Sequence, residues 1–118
     1  MARLVLRAWG DTHEIAFSIS KYATNGNTAI QMWKWVKDGD EQEGYYEPWS
    51  SLTVNLTKEC KPNCAFIDTN NNGDNIVEWL EANDLGFQTG NYEISGYCIY
   101  PEFEFDMDKL MKYTEVRA

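Results

Sequence analysis

No apolar run in the sequence approaches the roughly 20 residues that a membrane-spanning helix needs. Residues 1–10 make no secretory core either, because Arg3 and Arg7 interrupt the apolar positions. The expectation is a cytoplasmic chain that touches no membrane. Histidine is limited to His13. A lone histidine acts as a general base only beside a nucleophile and an orienting carboxylate. Its neighbours Thr12 and Glu14 would leave the opposite face of a strand, so His13 reads as a surface residue near a turn. Cysteine is limited to Cys60, Cys64 and Cys98. An odd number in a cytosolic chain argues for reduced thiols. A zinc site would need all three plus His13, at a spacing that fits no standard finger. There is no P-loop and no dinucleotide fingerprint. Ser95-Gly96-Tyr97-Cys98 matches no nucleophile elbow, which leaves Cys98 as a buried strand thiol. These absences predict a non-enzyme without a cofactor; a small enzyme with an unrecognised site remains a secondary alternative.

Positive charge is also short. Ten Lys and Arg face nineteen Asp and Glu, for a net charge of −9. Such a surface repels phosphate backbones and anionic lipid and attracts basic protein surfaces. What the chain does have is the composition of a folded protein, with 43% hydrophobic and 14% aromatic residues. Its 118 residues fit a single domain, 1–118, without repeats or linkers. Five tryptophans are available to a core or an interface.

Period-two alternation predicts strands over residues 3–9, 14–19 and 29–36, with Asn25-Gly26 as a type I′ turn. Asp38-Gly39 opens an acidic loop over residues 38–44. A strand follows Pro48, carrying Leu52, Val54 and Leu56 on one face, and residues 65–67 make a short strand. A helix is expected over 76–83, with Asn75 as cap, Glu78 completing a capping box, Ile76, Val77 and Leu80 buried, and Gly86 ending it. A long strand over 92–105, bent at Gly96 and Pro101, leads to a short helix over 107–114. The predicted fold is α+β: an antiparallel β-meander sheet of about five or six strands, with one central and one C-terminal helix packed on one face.

Two acidic groups are candidates for partner binding. One is Asp38, Asp40, Glu41, Glu43 and Glu47. The other is Glu102, Glu104 and Asp106, which alternate with Phe103, Phe105 and Met107. If that stretch is extended, its carboxylates form an outward row about 6.8 Å apart with the rings buried behind. Such a row either imitates nucleic-acid phosphates to occupy a basic groove or guards an exposed edge strand. A third candidate runs from Asp68 to Asp74. Asp68, Asn70, Asn72 and Asp74 place oxygens at alternate positions, as calcium loops do. The twelfth position is Trp79 rather than a bidentate Glu, which favours an Asn-rich turn that bonds its own backbone. Calcium binding there is the first alternative to a protein-binding role.

The stretches Lys21-Tyr22-Ala23-Thr24-Asn25-Gly26-Asn27, Thr53-Val54-Asn55-Leu56, Phe66-Ile67-Asp68-Thr69-Asn70-Asn71-Asn72-Gly73 and Ser95-Gly96-Tyr97-Cys98-Ile99-Tyr100-Pro101 resemble a small acidic family. It is catalogued as a domain of unknown function on plasmids, phages and integrative elements of gut Firmicutes. The resemblance spans about residues 15–106 and carries over no catalytic residue. It implies a mobile-element setting, in which an acidic protein counters host defences by binding a basic or nucleic-acid-binding host protein.

Overall fold

The computed structural model describes residues 3–37 and 43–114. Strand β1 (Leu4–Ala8) buries Leu4 and Leu6 and exposes Val5 and Arg7. It pairs antiparallel with β2 (Asp11–Lys21), Leu4 opposite Ile15 and Ala8 opposite Asp11. Next come β3 (Thr28–Lys37) and β4 (Gly44–Ser51), completing a four-stranded meander in the order β1-β2-β3-β4. A bulge in β4 leaves Trp49 without a partner between Ser50, opposite Met32, and Pro48, opposite Trp33. Pro48 is tolerated there because β4 is an edge strand.

The chain then leaves this sheet. At the fully buried Leu52, whose N–H donates to Ile30 O, it turns into β5 (Thr53–Val54). Strand β5 belongs to a second antiparallel sheet with β6 (Cys64–Ile67), β7 (Gly86–Ser95) and β8 (Cys98–Phe105), in the order β5-β6-β8-β7. Helices α1 (Thr69–Asn72) and α2 (Asn75–Ala82) connect β6 to β7, and α3 (Met107–Met111) follows β8. One core joins both sheets and the helices: Phe17 and Met32 from the first, Ile67 and Phe103 from the second, Leu80 from α2 and Leu110 from α3.

The antiparallel character and the two main helices agree with the sequence reading; several details do not. The single sheet is two sheets, because the chain changes partners at Leu52. The bent strand over 92–105 is a hairpin, with Gly96 (φ 61°) and Tyr97 as its two-residue turn. Asn25-Gly26 is no two-residue turn: Lys21 pairs with Thr28 across a six-residue loop. Instead Asn25 Nδ2 donates to Asn55 Oδ1 and Leu56 O, and Asn27 Nδ2 donates to Lys58 O. This loop clamps segment 55–62 in place. The I′ geometry appears at Trp9 and Gly10, both with positive φ (51° and 76°), between Ala8 and Asp11. At α2 the cap position falls on Asp74, without a side-chain capping bond, so the expected capping box is absent. The left-handed residue after α2 is Asp84, φ 62°. Gly86 serves close approach, since a Cβ there would stand 2.0 Å from Glu104 O.

Candidate binding cleft

The β1–β2 turn, the β4 bulge and the start of α2 enclose an open cleft of about 630 Å³. Trp9, Trp49 and Trp79 supply its aromatic walls, with Ile76, Asn72 and Asn75 on the helical side. The rings are set by different means. Trp79 Nε1 donates to Val5 O (2.8 Å), which fixes the indole against β1, and the ring lies 6.2 Å from Phe17. The bulge turns Trp49 onto the core side of the first sheet. There it packs 4.4 Å from His13 and 5.4 Å from Trp9 between ring centroids, with Lys34 Nζ 5.9 Å above it. Trp9 occupies the first central position of the I′ turn in a left-handed conformation, and 83% of its surface is exposed. A bulky residue at positive φ is strained by about 1–2 kcal/mol, and here the ring recovers little of that by burial. Among the described residues the indole N–H groups of Trp9 and Trp49 have no acceptor. The cleft therefore offers the exposed face of Trp9 and, among the described residues, two indole donors without an acceptor and one cationic lining residue, Arg7.

A second polar cluster lies on the outer face of the β6-β8-β7 sheet. Glu102 is buried, 8% exposed, and accepts hydrogen bonds from Thr89 Oγ1 (2.7 Å) and Asn91 Nδ2 (3.2 Å). Thr89 and Asn91 belong to the irregular part of β7, between Gln88 and Tyr92, where its pairing with β8 shifts register. Burial pushes the Glu102 carboxyl up, but the hydrogen bonds from Thr89, Asn91 and the Cys60 thiol, with Lys58 nearby, outweigh it and hold its pKa below the ordinary value. Burial, and then the Glu102 carboxylate, push the Cys60 thiol up to about 12. This thiol stays protonated and is a poor nucleophile or metal ligand. The arrangement ties three segments together around the Glu102 carboxylate.

A family model described as a domain of unknown function (DUF4313) matches residues 16–117. The chain belongs to the DUF4313 family. No curated protein and no solved structure matches it. In this DUF4313 domain the sequence-predicted acidic row does not form. Phe103 and Phe105 are buried as expected, but Glu102 is buried with them, on the other face, beneath segment 55–62 and the β7 irregularity. Glu104 is half-buried beside Cys64, and Asp106 leaves the strand to cap α3, accepting from Lys109 N. Of the acidic loop, Asp38, Asp40 and Glu41 lie outside the described residues; Glu43 is exposed, and Glu47 is half-buried opposite Lys34.

In this DUF4313 domain the 68–74 stretch holds one short helix, α1 (Thr69–Asn72), with Asp68 as its cap and Gly73 and Asp74 outside it. Asp68 is buried and accepts from Asn71 N and Asn71 Nδ2; Asn72 Nδ2 donates to Ser51 O and Asp68 O. Asn70 is exposed, and Asp74 is the exposed cap position of α2. These are the self-bonding contacts of an Asn-rich turn, and no group of three or more His, Cys, Asp or Glu able to hold a metal occurs among the described residues. His13 is not the surface residue expected. It is half-buried against Trp49, and its Nδ1 has no hydrogen-bond partner among the described residues. Cys98 flanks the turn of the β7–β8 hairpin, in the other sheet. The cleft itself escaped the sequence reading. Trp9-Gly10 was its one local signal, and a tryptophan is not read as a turn residue.

Proposed function

We propose that this domain is a non-catalytic binding protein that holds a segment of a partner protein in the cleft between Trp9, Trp49 and Trp79. The observation that carries the reading is Trp9, an almost fully exposed indole kept in a strained turn conformation. Strain of this kind is retained where a side chain's position matters more than local stability. Exposed tryptophan beside a well-formed concavity is also what protein interfaces use as an anchor. The net charge of −9 makes a basic partner the favoured one, because opposite charge steers encounter. The setting that fits both is the cytoplasm of a bacterium carrying a plasmid, phage or integrative element, with the domain restraining a basic or nucleic-acid-binding host protein. Imitation of a phosphate row by Glu102, Glu104 and Asp106 is not part of the proposal, since Glu102 is buried.

The test is capture of partners from a host lysate on immobilised domain, at low and high salt, with wild type and Trp9→Asn side by side. A basic partner retained by wild type, weakened by salt and lost with Trp9→Asn is the expected result. Recovery that is indifferent to Trp9→Asn would remove the cleft from the reading.

A further inference from the structure

We propose that the occupant of this cleft is a proline-rich segment in the polyproline II conformation, flanked by a basic residue; this rests on the binding reading of the same cleft. The site excludes the commonest way of holding an extended partner. Strand β1 is an edge strand, and an extended partner would ordinarily add to such an edge by a backbone ladder. That route is blocked, because Val5 O already accepts from Trp79 Nε1 and the indole lies against the strand. An extended ligand is therefore read by side chains.

The chemistry of those side chains suits one such ligand. A polyproline II chain has no internal hydrogen bonds and presents bare carbonyl oxygens. It needs donors, and the cleft has them: the indole N–H groups of Trp9 and Trp49 are unpartnered among the described residues, as is the side-chain amide of Asn75. Proline rings in turn need a flat apolar face, and the exposed Trp9 ring supplies one, backed by Trp49 at 5.4 Å between ring centroids. A preformed polyproline II chain also loses little entropy on docking, which suits an open site of this size.

The far side of Trp9 has a shape that suits the same ligand. A second depression of about 340 Å³ shares Arg7, Ala8 and Trp9 with the cleft and adds Gly10, Asp11 and Thr12. The Trp9 ring is thus a ridge between two hollows, the form of a surface that seats successive turns of a three-residue helix. Asp11 is exposed in the second hollow, with Oδ1 bonded, among the described residues, only to Thr12 N. A lysine or arginine one turn beyond the prolines would reach it, in keeping with the acidic surface as a whole.

The experiment is panning of a random 12-residue peptide library on the intact domain, followed by titration of decaproline and of a proline-rich peptide ending in arginine, read by intrinsic tryptophan fluorescence. Enrichment of proline-rich, basic sequences is expected. Both peptides should perturb the fluorescence, and binding should fall at least tenfold in Trp9→Asn and in Trp49→Leu. The arginine-ended peptide should bind more tightly than decaproline, and Asp11→Asn should remove the difference. Enrichment of sequences without proline that still require Trp9 would overturn this inference and leave the protein-binding function standing. No enrichment, with no response to either peptide, would overturn both.

Discussion

Glu102 is the residue whose surroundings most change the expectation drawn from its neighbours in sequence. Its folded-state pKa is depressed, so ionisation stabilises the fold. The contribution is fully present above the unfolded glutamate value of about 4.3 and is lost as pH falls through the lower folded value. Glu102→Gln is therefore expected to be less stable than wild type at pH 7, with the gap narrowing as pH falls below the unfolded glutamate value and through the depressed folded one. Urea denaturation at a series of pH values measures this, and a gap that stays constant with pH would contradict it. Cys60 reports on the same carboxylate. With its thiol pushed up to about 12, first by burial and then by Glu102, iodoacetamide at pH 8 should modify it orders of magnitude more slowly than a free thiol. In Glu102→Gln the reaction should accelerate. Peptide mass spectrometry follows both, and rapid alkylation of folded wild type would refute the assignment.

The elements differ in how much of them the sequence disclosed. Strands β1 to β3 and helix α2 were readable because one face of each meets the core, which writes a regular period into the residues. The pairing of Phe103 and Phe105 with a core was readable for the same reason. The orientation of Glu102 was not. What covers it is segment 55–62, held down by Asn25 and Asn27 from more than thirty positions away, and the irregularity in β7. Strand β4 was missed because Pro48 and two adjacent tyrosines break the alternation, which an edge strand with a bulge tolerates. The division into two sheets turns on Leu52, an ordinary leucine in sequence. The junction of α2 and β7 offers a test at this scale. Gly86→Ala should cost about 1–3 kcal/mol, because a Cβ has no room beside Glu104 O. Thermal unfolding would show it, and an unchanged midpoint would mean that β7 and β8 separate there freely.

For the molecule as a whole, surplus acid and exposed aromatics are both visible in the composition, and composition alone cannot say which of them meets a partner. The fold separates them. The carboxylates nearest a regular array are drawn into structure: Glu102 into a hydrogen-bonded cluster, Asp106 and Asp68 into helix caps. Trp33 Nε1 is bound to Ser18 Oγ and Trp79 Nε1 to Val5 O, while Trp9 is left exposed at the mouth of a cleft. Distance in sequence hid this, since Trp9, Trp49 and Trp79 come from a turn, a bulge and a helix. The central claim is that Trp9 is placed for a ligand rather than for the fold. Its most direct test is the free energy of unfolding of Trp9→Asn, measured in urea without any ligand. Asparagine suits a left-handed turn position before glycine, so stability is expected to equal or exceed that of wild type, by up to about 1 kcal/mol. A loss of more than about 1 kcal/mol would show that the indole holds the domain together, and would contradict its assignment to binding.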